Sequence, residues 1–278
     1  MNSPDEPSWF QHHLHLAGPT AEIHAARYLG PALAALEGNA VIATWHFLRK
    51  GDRWRLRFQP AGTAEGATGT TAVEEALEQC RDAGMITAWT TVVYEPETRA
   101  FGGLEGMDAA HRLFHLDSRC ALAYLRAVHT GQLPDQRREL AVLLGVAAMR
   151  AAGLDWYEIG DTWVKVAENR PTTTAGGSRL RDSVRTLLST DTGPDSALVS
   201  GGRLAFAAEW FEAFGDYGRG LRKLNDSGRL QRGLRRVLAH QQLFHANRLG
   251  LSHEEQALLA GSAATAVLDL YSTPGAAP

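Results

Sequence analysis

Arginine recurs at every second position in Arg53-Trp-Arg55-Leu-Arg57-Phe58, and this spacing is the first place in the chain with the means for chemistry. Successive side chains on a strand alternate faces, so Arg53, Arg55 and Arg57 share one side. Guanidinium groups so arranged repel unless something anionic sits among them. The face is either a solvated one with carboxylate neighbours or a wall that receives a carboxylate or an oxyanion. A second place is Tyr94-Glu-Pro-Glu-Thr-Arg-Ala-Phe-Gly-Gly103, where a strand runs into a charged turn with Glu97 and Arg99. Its two glycines permit close backbone approach, although Glu97 and Arg99 read equally as a surface ion pair. The third is Arg229 to Arg248, which carries Arg229, Arg232, Arg235, Arg236 and Arg248 and no acidic residue. A cationic helix of this kind suggests an anionic partner: a carboxylate-bearing peptide, a nucleic acid or an acidic subunit surface. His245 and Arg248 stand three residues apart on one helix face, with Gln242 and Asn247 close by. Histidine is the side chain best poised for proton transfer near neutral pH.

The elements that must hold these residues follow from pattern. Two alternating runs from Trp45 to Phe58 flank Lys50-Gly51, which predicts a β-hairpin with those two residues as its loop. Phe47 then faces Trp54 and Trp45 faces Leu56 on a core side, while Thr44 and His46 join Arg55 and Arg57 on the other. Trp9 to Leu16 reads as a strand with His12, His13 and His15; adjacent histidines point to opposite faces and no ligand spacing supports a metal. Thr20 is the expected cap of a helix to about Ala35, kinked at Pro31. A Gly/Thr/Ala loop over 61–70, a helix over 71–83 ending at Gly84 and a strand over 86–94 complete the array. From Gly102 helical periodicity takes over, with helices expected at 105–130, 136–152, 155–169, 178–189, 202–225, 229–249 and 252–272. Asp117-Ser118 reads as a helix cap or a joint between helical segments. The fold class is therefore α+β: an N-terminal mixed or antiparallel sheet with covering helices over 1–103, then a mostly helical portion over 104–278, packed together as one domain.

Composition narrows the function classes. With 278 residues and a net charge of −3, the chain has neither the basic character of a nucleic-acid binder nor that of a membrane-surface protein. Cys80 and Cys120 match no metal or redox spacing and read as reduced thiols. The polar start, Met-Asn-Ser-Pro-Asp-Glu-Pro, lacks a signal-peptide pattern, and no apolar run approaches a membrane span. A cytoplasmic protein is expected, with a disordered tail from Thr273. No phosphate loop, nucleophile elbow or zinc-protease motif occurs.

Four motifs in order, Trp-His-Phe-Leu-Arg-Lys with Trp-Arg-Leu-Arg-Phe, Tyr-Glu-Pro-Glu-Thr-Arg-Ala-Phe-Gly-Gly, Leu-Phe-His-Leu-Asp-Ser and Phe-His-Ala-Asn-Arg-Leu-Gly-Leu, resemble the thiopeptide-type bacteriocin biosynthesis family. That family is the stand-alone relative of the C-terminal, glutamate-elimination domain of lantibiotic dehydratases. The resemblance covers nearly the whole chain. It implies elimination of glutamate from glutamylated Ser or Thr of a ribosomal precursor peptide, leaving dehydroalanine or dehydrobutyrine, after a separate glutamylating subunit has acted. As the runner-up it implies the family's other chemistry, a pyridine-forming [4+2] cycloaddition. A third reading is a non-catalytic partner that binds the precursor. By similarity to the Arg-Leu-Arg motif, Arg55 and Arg57 take catalytic positions and Glu97 that of a substrate-binding carboxylate. His245 resembles the histidine preceding Asn-Arg and is the expected proton shuttle, while Arg99 is expected to compensate for Ala100, where elimination domains commonly carry arginine. Leu243 stands where full-length dehydratases place their histidine, four residues before Asn247. Tyr94, His46, Arg53, Asn247 and Arg248 complete the substrate-binding candidates. No cofactor is implied, and a homodimer is a candidate arrangement because related proteins are often dimeric.

Overall fold

The computed structural model of the chain describes residues 9–62, 66–172, 174 and 176–268. The N-terminal polar segment, part of the expected loop over 61–70 and the expected disordered tail lie outside the described residues. Two compact units are present: unit 1, Met1–Pro96 with Phe114–Asp135, and unit 2, Glu97–Leu113 with Gln136–Pro278. The division differs from the expected one at residue 103, because the second half of a long helix joins the sheet.

Unit 1 is built on strands β1 (Phe10–Leu16), β2 (Ile42–Lys50), β3 (Arg53–Pro60) and β4 (Ile86–Val92). They form one antiparallel sheet in the order β2-β3-β1-β4. The α+β expectation holds. One face carries Leu14, Trp45, Phe47, Trp54, Leu56 and Phe58, all buried. Helices α2 (Gly30–Gly38) and α3 (Gly66–Asp82) pack there, bringing Leu33, Val73 and Leu77 into the same core. Fully burying each such side chain contributes about 1.5–3 kcal/mol, so this apolar face fixes which side of the sheet points inward.

Short helix α1 (Ala21–His24) runs into α2 through a π-helical turn at Ala25–Leu29. Pro31 is the second residue of α2, directly after the π-helical turn, and cannot donate the backbone bond that the continuous helix would otherwise carry there. The expected kink is thus an irregular turn just before the proline. Thr20 makes no side-chain capping bond.

The hairpin keeps its faces but not its register. Lys50 pairs with Arg53, His46 with Arg57 and Phe47 with Leu56, so Gly51-Asp52 is the loop. Gly51 adopts φ 63°, a left-handed conformation that a side chain disfavours. Moving the loop by one residue shifts every pair by two, which leaves each side chain on its expected face.

Strand β2 lies at a sheet edge, and its outward backbone groups are taken up by α4 (Leu104–His129). Phe47 donates its N–H to Ser118 Oγ at 3.1 Å, and His115 Nδ1 lies 3.0 Å from the Trp45 carbonyl oxygen, to which it donates. Asp117 and Ser118 lie buried in the middle of α4. They are neither a cap nor a joint, because the helix runs unbroken through them. Ser118 instead closes an edge that would otherwise invite strand pairing.

Unit 2 is helical among its described residues: α5 (Arg137–Ala151), α6 (Trp156–Glu168), α7 (Ser178–Ser189), α8 (Ala208–Asp226), α9 (Leu234–Leu249) and α10 (His253–Leu268), besides the first part of α4. Helix α6 starts at a reciprocal capping box, Asp155 accepting from the Glu158 amide at 2.8 Å and Glu158 accepting from the Asp155 amide at 3.1 Å. Helices α5 and α8 pack closely at Gly218, where an added Cβ would lie 2.2 Å from the Ala148 carbonyl oxygen. Helix α9 begins at Leu234, later than expected, because Gly228 and Gly233 break the preceding stretch.

Candidate active site and family

The second sheet face is cationic, as its alternation requires. Arg53, Arg55 and Arg57 of β3 lie directly across from His15, His13 and Gln11 of β1. Arg57 is only 5% exposed and is held from three sides. Its Nε donates to Gln11 Oε1 at 2.6 Å, its Nη1 lies 3.5 Å from His46 Nε2, and its guanidinium stacks 4.4 Å from the Tyr94 ring centroid. A cation over an aromatic face gains about 0.5–2 kcal/mol, more as water is excluded. His46 is itself fully buried among the rings of Trp9, Tyr94 and Phe114. Arg57 is a preplaced charge and His46 part of its mounting.

Arg55 differs from its neighbours. It makes no side-chain hydrogen bond or ion pair among the described residues and is partly exposed, while Arg53 at the strand end has Asp52 at 3.7 Å. The reading of a face neutralised by carboxylates fails at Arg55. His13 reports the resulting potential: its pKa is lowered by partial burial, then by Arg55, Arg53 and Arg57, and by His15. Like charges disfavour the protonated ring, so His13 is kept neutral at pH 7.

A second constellation lies in unit 2. The loop Glu97–Gly103 is closed by the amides of Ala100 and Phe101 donating to the Glu97 carbonyl and by Gly103 donating to that of Thr98. Gly102 and Gly103 have φ 86° and 104°, and an added Cβ on them would meet Leu230 at 2.5 Å and Gln231 at 2.7 Å. The Gly-Gly pair is therefore needed for the approach of segment 230–232, where Arg232 Nη1 donates to the Ala100 carbonyl at 2.6 Å. Glu97 Oε2 lies 2.8 Å from His240 Nε2, and the His240 ring packs at 4.9 Å on the buried Phe101.

His240 was not legible as a partner of Glu97. No linear motif joins them, and only the helical phase of α9 reveals it. His245, five residues on, is turned by about 140° at 100° per residue. It is fully buried against the rings of Trp210 at 5.8 Å and Phe214 at 4.7 Å. The expected proton shuttle, His245, thus lies enclosed within unit 2. Arg248 is likewise fully buried, and Asn247 accepts from Gln256 at 2.9 Å and Arg170 at 3.4 Å within unit 2.

The expected basic helix disperses in the same way: Arg229 pairs with Glu105 at 2.6 Å and Arg235 with Asp161 at 2.9 Å. Arg99 is exposed and makes no side-chain hydrogen bond or ion pair among the described residues, and it does not share the Glu97–His240 contact. Among the described residues no group of His, Cys, Asp and Glu converges as a metal site would.

The family model for the C-terminal part of lantibiotic biosynthesis dehydratases matches residues 9–267. The chain belongs to the lantibiotic dehydratase C-terminal family. Solved structures share its fold. The tRNA-dependent lantibiotic dehydratase MibB from Microbispora sp. 107891 superposes with a TM-score of 0.69 at 17% identity, over 97% of this chain and 28% of that one. The chain thus spans about a quarter of that dehydratase's length, 28%. The pyridine synthase TbtD from thiomuracin biosynthesis gives 0.67 at 19% identity, over 95% of this chain and 99% of that one. TsrL gives 0.57 at 18% identity, over 96% of each. No match is found among curated proteins. At these identities the likeness is one of fold. Among the described residues no helix is long and apolar enough to cross a membrane.

Proposed function

We propose that this member of the lantibiotic dehydratase C-terminal family is a glutamate-elimination lyase acting on a ribosomally made precursor peptide. The observation that carries the reading is the pair Arg55 and Arg57 on one sheet face, the first without a partner among the described residues and the second clamped by Gln11, His46 and Tyr94. A glutamyl ester of Ser or Thr retains the γ-carboxylate and ammonium group of glutamate. Loss of the peptide Cα proton builds an enolate; its electron pair forms the Cα=Cβ bond as the Cβ–O bond breaks, and glutamate departs with its carboxylate. Each species is anionic and is stabilised by cations already in place. Glu97 keeps the role implied by the family pattern, that of carboxylate partner for the ammonium group. Tyr94, His46 and Arg53 serve the binding face, and a separate glutamylating subunit supplies the ester.

One observation favours a second reading. Ala100 and the buried Leu243 remove an arginine and a histidine from the elimination pattern. A pyridine-forming cycloaddition, which draws mainly on proximity and orientation, tolerates those losses better. Incubating the protein with glutamylated precursor, and separately with a peptide bearing two dehydroalanines, distinguishes the two by mass. Loss of glutamate supports the lyase; macrocycle formation with leader release replaces it by the synthase; binding without turnover leaves a precursor-delivering partner. For the lyase, Arg55→Ala lowers the single-turnover rate by about 10²–10³-fold, the usual effect of removing one preplaced stabiliser.

A further inference from the structure

The arginine face contains a titratable side chain to which the family pattern gives no role. His13 stands directly opposite Arg55 across the β1–β3 pairing, between the positions facing Arg57 and Arg53. A hydrogen-bond relay defines its protonation. Arg57 donates to Gln11 Oε1 at 2.6 Å, which orients the Gln11 amide so that its Nε2 points at the Val93 carbonyl and at His13 Nε2, each at 3.4 Å. An amide nitrogen only donates, so His13 Nε2 must accept, and the ring is the neutral tautomer with its proton on Nδ1. The charged and titratable neighbours agree. Arg53, Arg55 and Arg57 of β3 and His15 of β1 disfavour a second proton, while β4 presents Ala88, Thr90 and Val92 on this face and no carboxylate.

We propose that His13 is the proton acceptor of the arginine face and that it becomes an effective base only when an anion occupies Arg55. This inference rests on the elimination reading for its chemistry, but not for its coupling. The Cα proton of the glutamylated residue passes to the His13 Nε2 lone pair as the long Gln11 contact to it is given up, the Gln11 amide keeping its bond to the Val93 carbonyl; the Cα–H electron pair forms the Cα=Cβ bond, and glutamate leaves with the electrons of the Cβ–O bond. The proton on His13 then goes to solvent. Without substrate, an imidazolium at His13 would face the guanidinium groups of Arg55, Arg53 and Arg57; a bound γ-carboxylate at Arg55 cancels part of that field. Substrate thereby raises the basicity of the group that deprotonates it, and reciprocity requires that protonation of His13 tighten anion binding.

The test uses the whole chain with 15N-labelled histidine rings and free L-glutamate as probe. The His13 pKa is read by NMR without glutamate, then at saturation. Expected are a value below the ordinary histidine range in the free protein, a rise with glutamate, and loss of that rise in Arg55→Ala. His13→Gln should fold with unchanged β1 amide shifts and lose about 10²–10⁴-fold in single-turnover elimination, the usual span for a general base. A His13 pKa that ignores saturating glutamate overturns the proposal. So does a His13→Gln variant that eliminates within threefold of wild type. If glutamate raises the His13 pKa but wild type eliminates nothing from glutamylated peptide, the anion-coupled proton site stands and the elimination reading falls.

Discussion

Acidification should loosen the sheet through one histidine. His12 neighbours His13 in sequence and, by strand alternation, faces the opposite side; it is fully buried with its ring 5.5 Å from that of Phe58. Its Nδ1 lies 3.0 Å from Thr91 Oγ1, and its Nε2 has no hydrogen-bond partner among the described residues. Burial lowers its pKa from 6.5 to about 4. Above pH 6.5 the ring is neutral in both the folded and unfolded chain and contributes no pH dependence. As pH falls from 6.5 towards 4, the unfolded chain takes up a proton that the folded chain refuses, so stability is lost across that window. The full loss is roughly 3 kcal/mol, at about 1.4 kcal/mol per pH unit. His12→Leu removes the titration and also the Thr91 hydrogen bond, worth about 1 kcal/mol. The variant should therefore be less stable than wild type at pH 7 and more stable near pH 4.5. Hydrogen exchange of the β1 amides, compared between the two proteins at each pH, measures this crossing while shared titrations cancel. Parallel stability curves from pH 7 to 4.5 would refute the reasoning.

Arg57→Lys keeps the charge but loses the Nε bond to Gln11 and the planar stack on Tyr94; single-turnover elimination should fall by about 10²-fold or more while the β-sheet amide spectrum persists. Glu97→Gln should raise the KM for glutamylated peptide more than it lowers kcat, measured by steady-state kinetics, because its proposed contact is with the ammonium of the bound ester. Gly218→Ala should destabilise unit 2 by about 1–3 kcal/mol by urea titration, since the Ala148 carbonyl cannot yield 2.2 Å cheaply. Gly220→Ala on the same helix meets nothing within 4 Å and should be neutral or stabilise by up to about 1 kcal/mol.

Much of the scaffold was legible because its signals are local. The alternation in Trp45–Phe58 defined two faces, and the parity of a strand protected that reading even though the loop is Gly51-Asp52. Helical periods after Gly102 placed most helix ends to within two residues, except that α8 starts at Ala208 rather than 202 and that Gly228 and Gly233 delayed α9 to Leu234. The arginine face was legible for the same reason, since three residues at spacing two share a side wherever the strand lies.

Sequence alone thus determined the family, the α+β class and the cationic strand face, all of which depend on short-range pattern or on motifs in order. Tertiary structure decided which charges are available. Arg248 and His245 are as polar in sequence as Arg55 and His240, yet the packing of unit 2 encloses the first two, while Arg55 on β3 and His240 on α9 keep partial access to solvent. It also oriented Gln11, which no motif marks, between Arg57 and His13. Burial and hydrogen-bond direction arise from residues tens of positions apart meeting across the β1–β3 pairing or around a helix, and that is information a linear pattern does not hold.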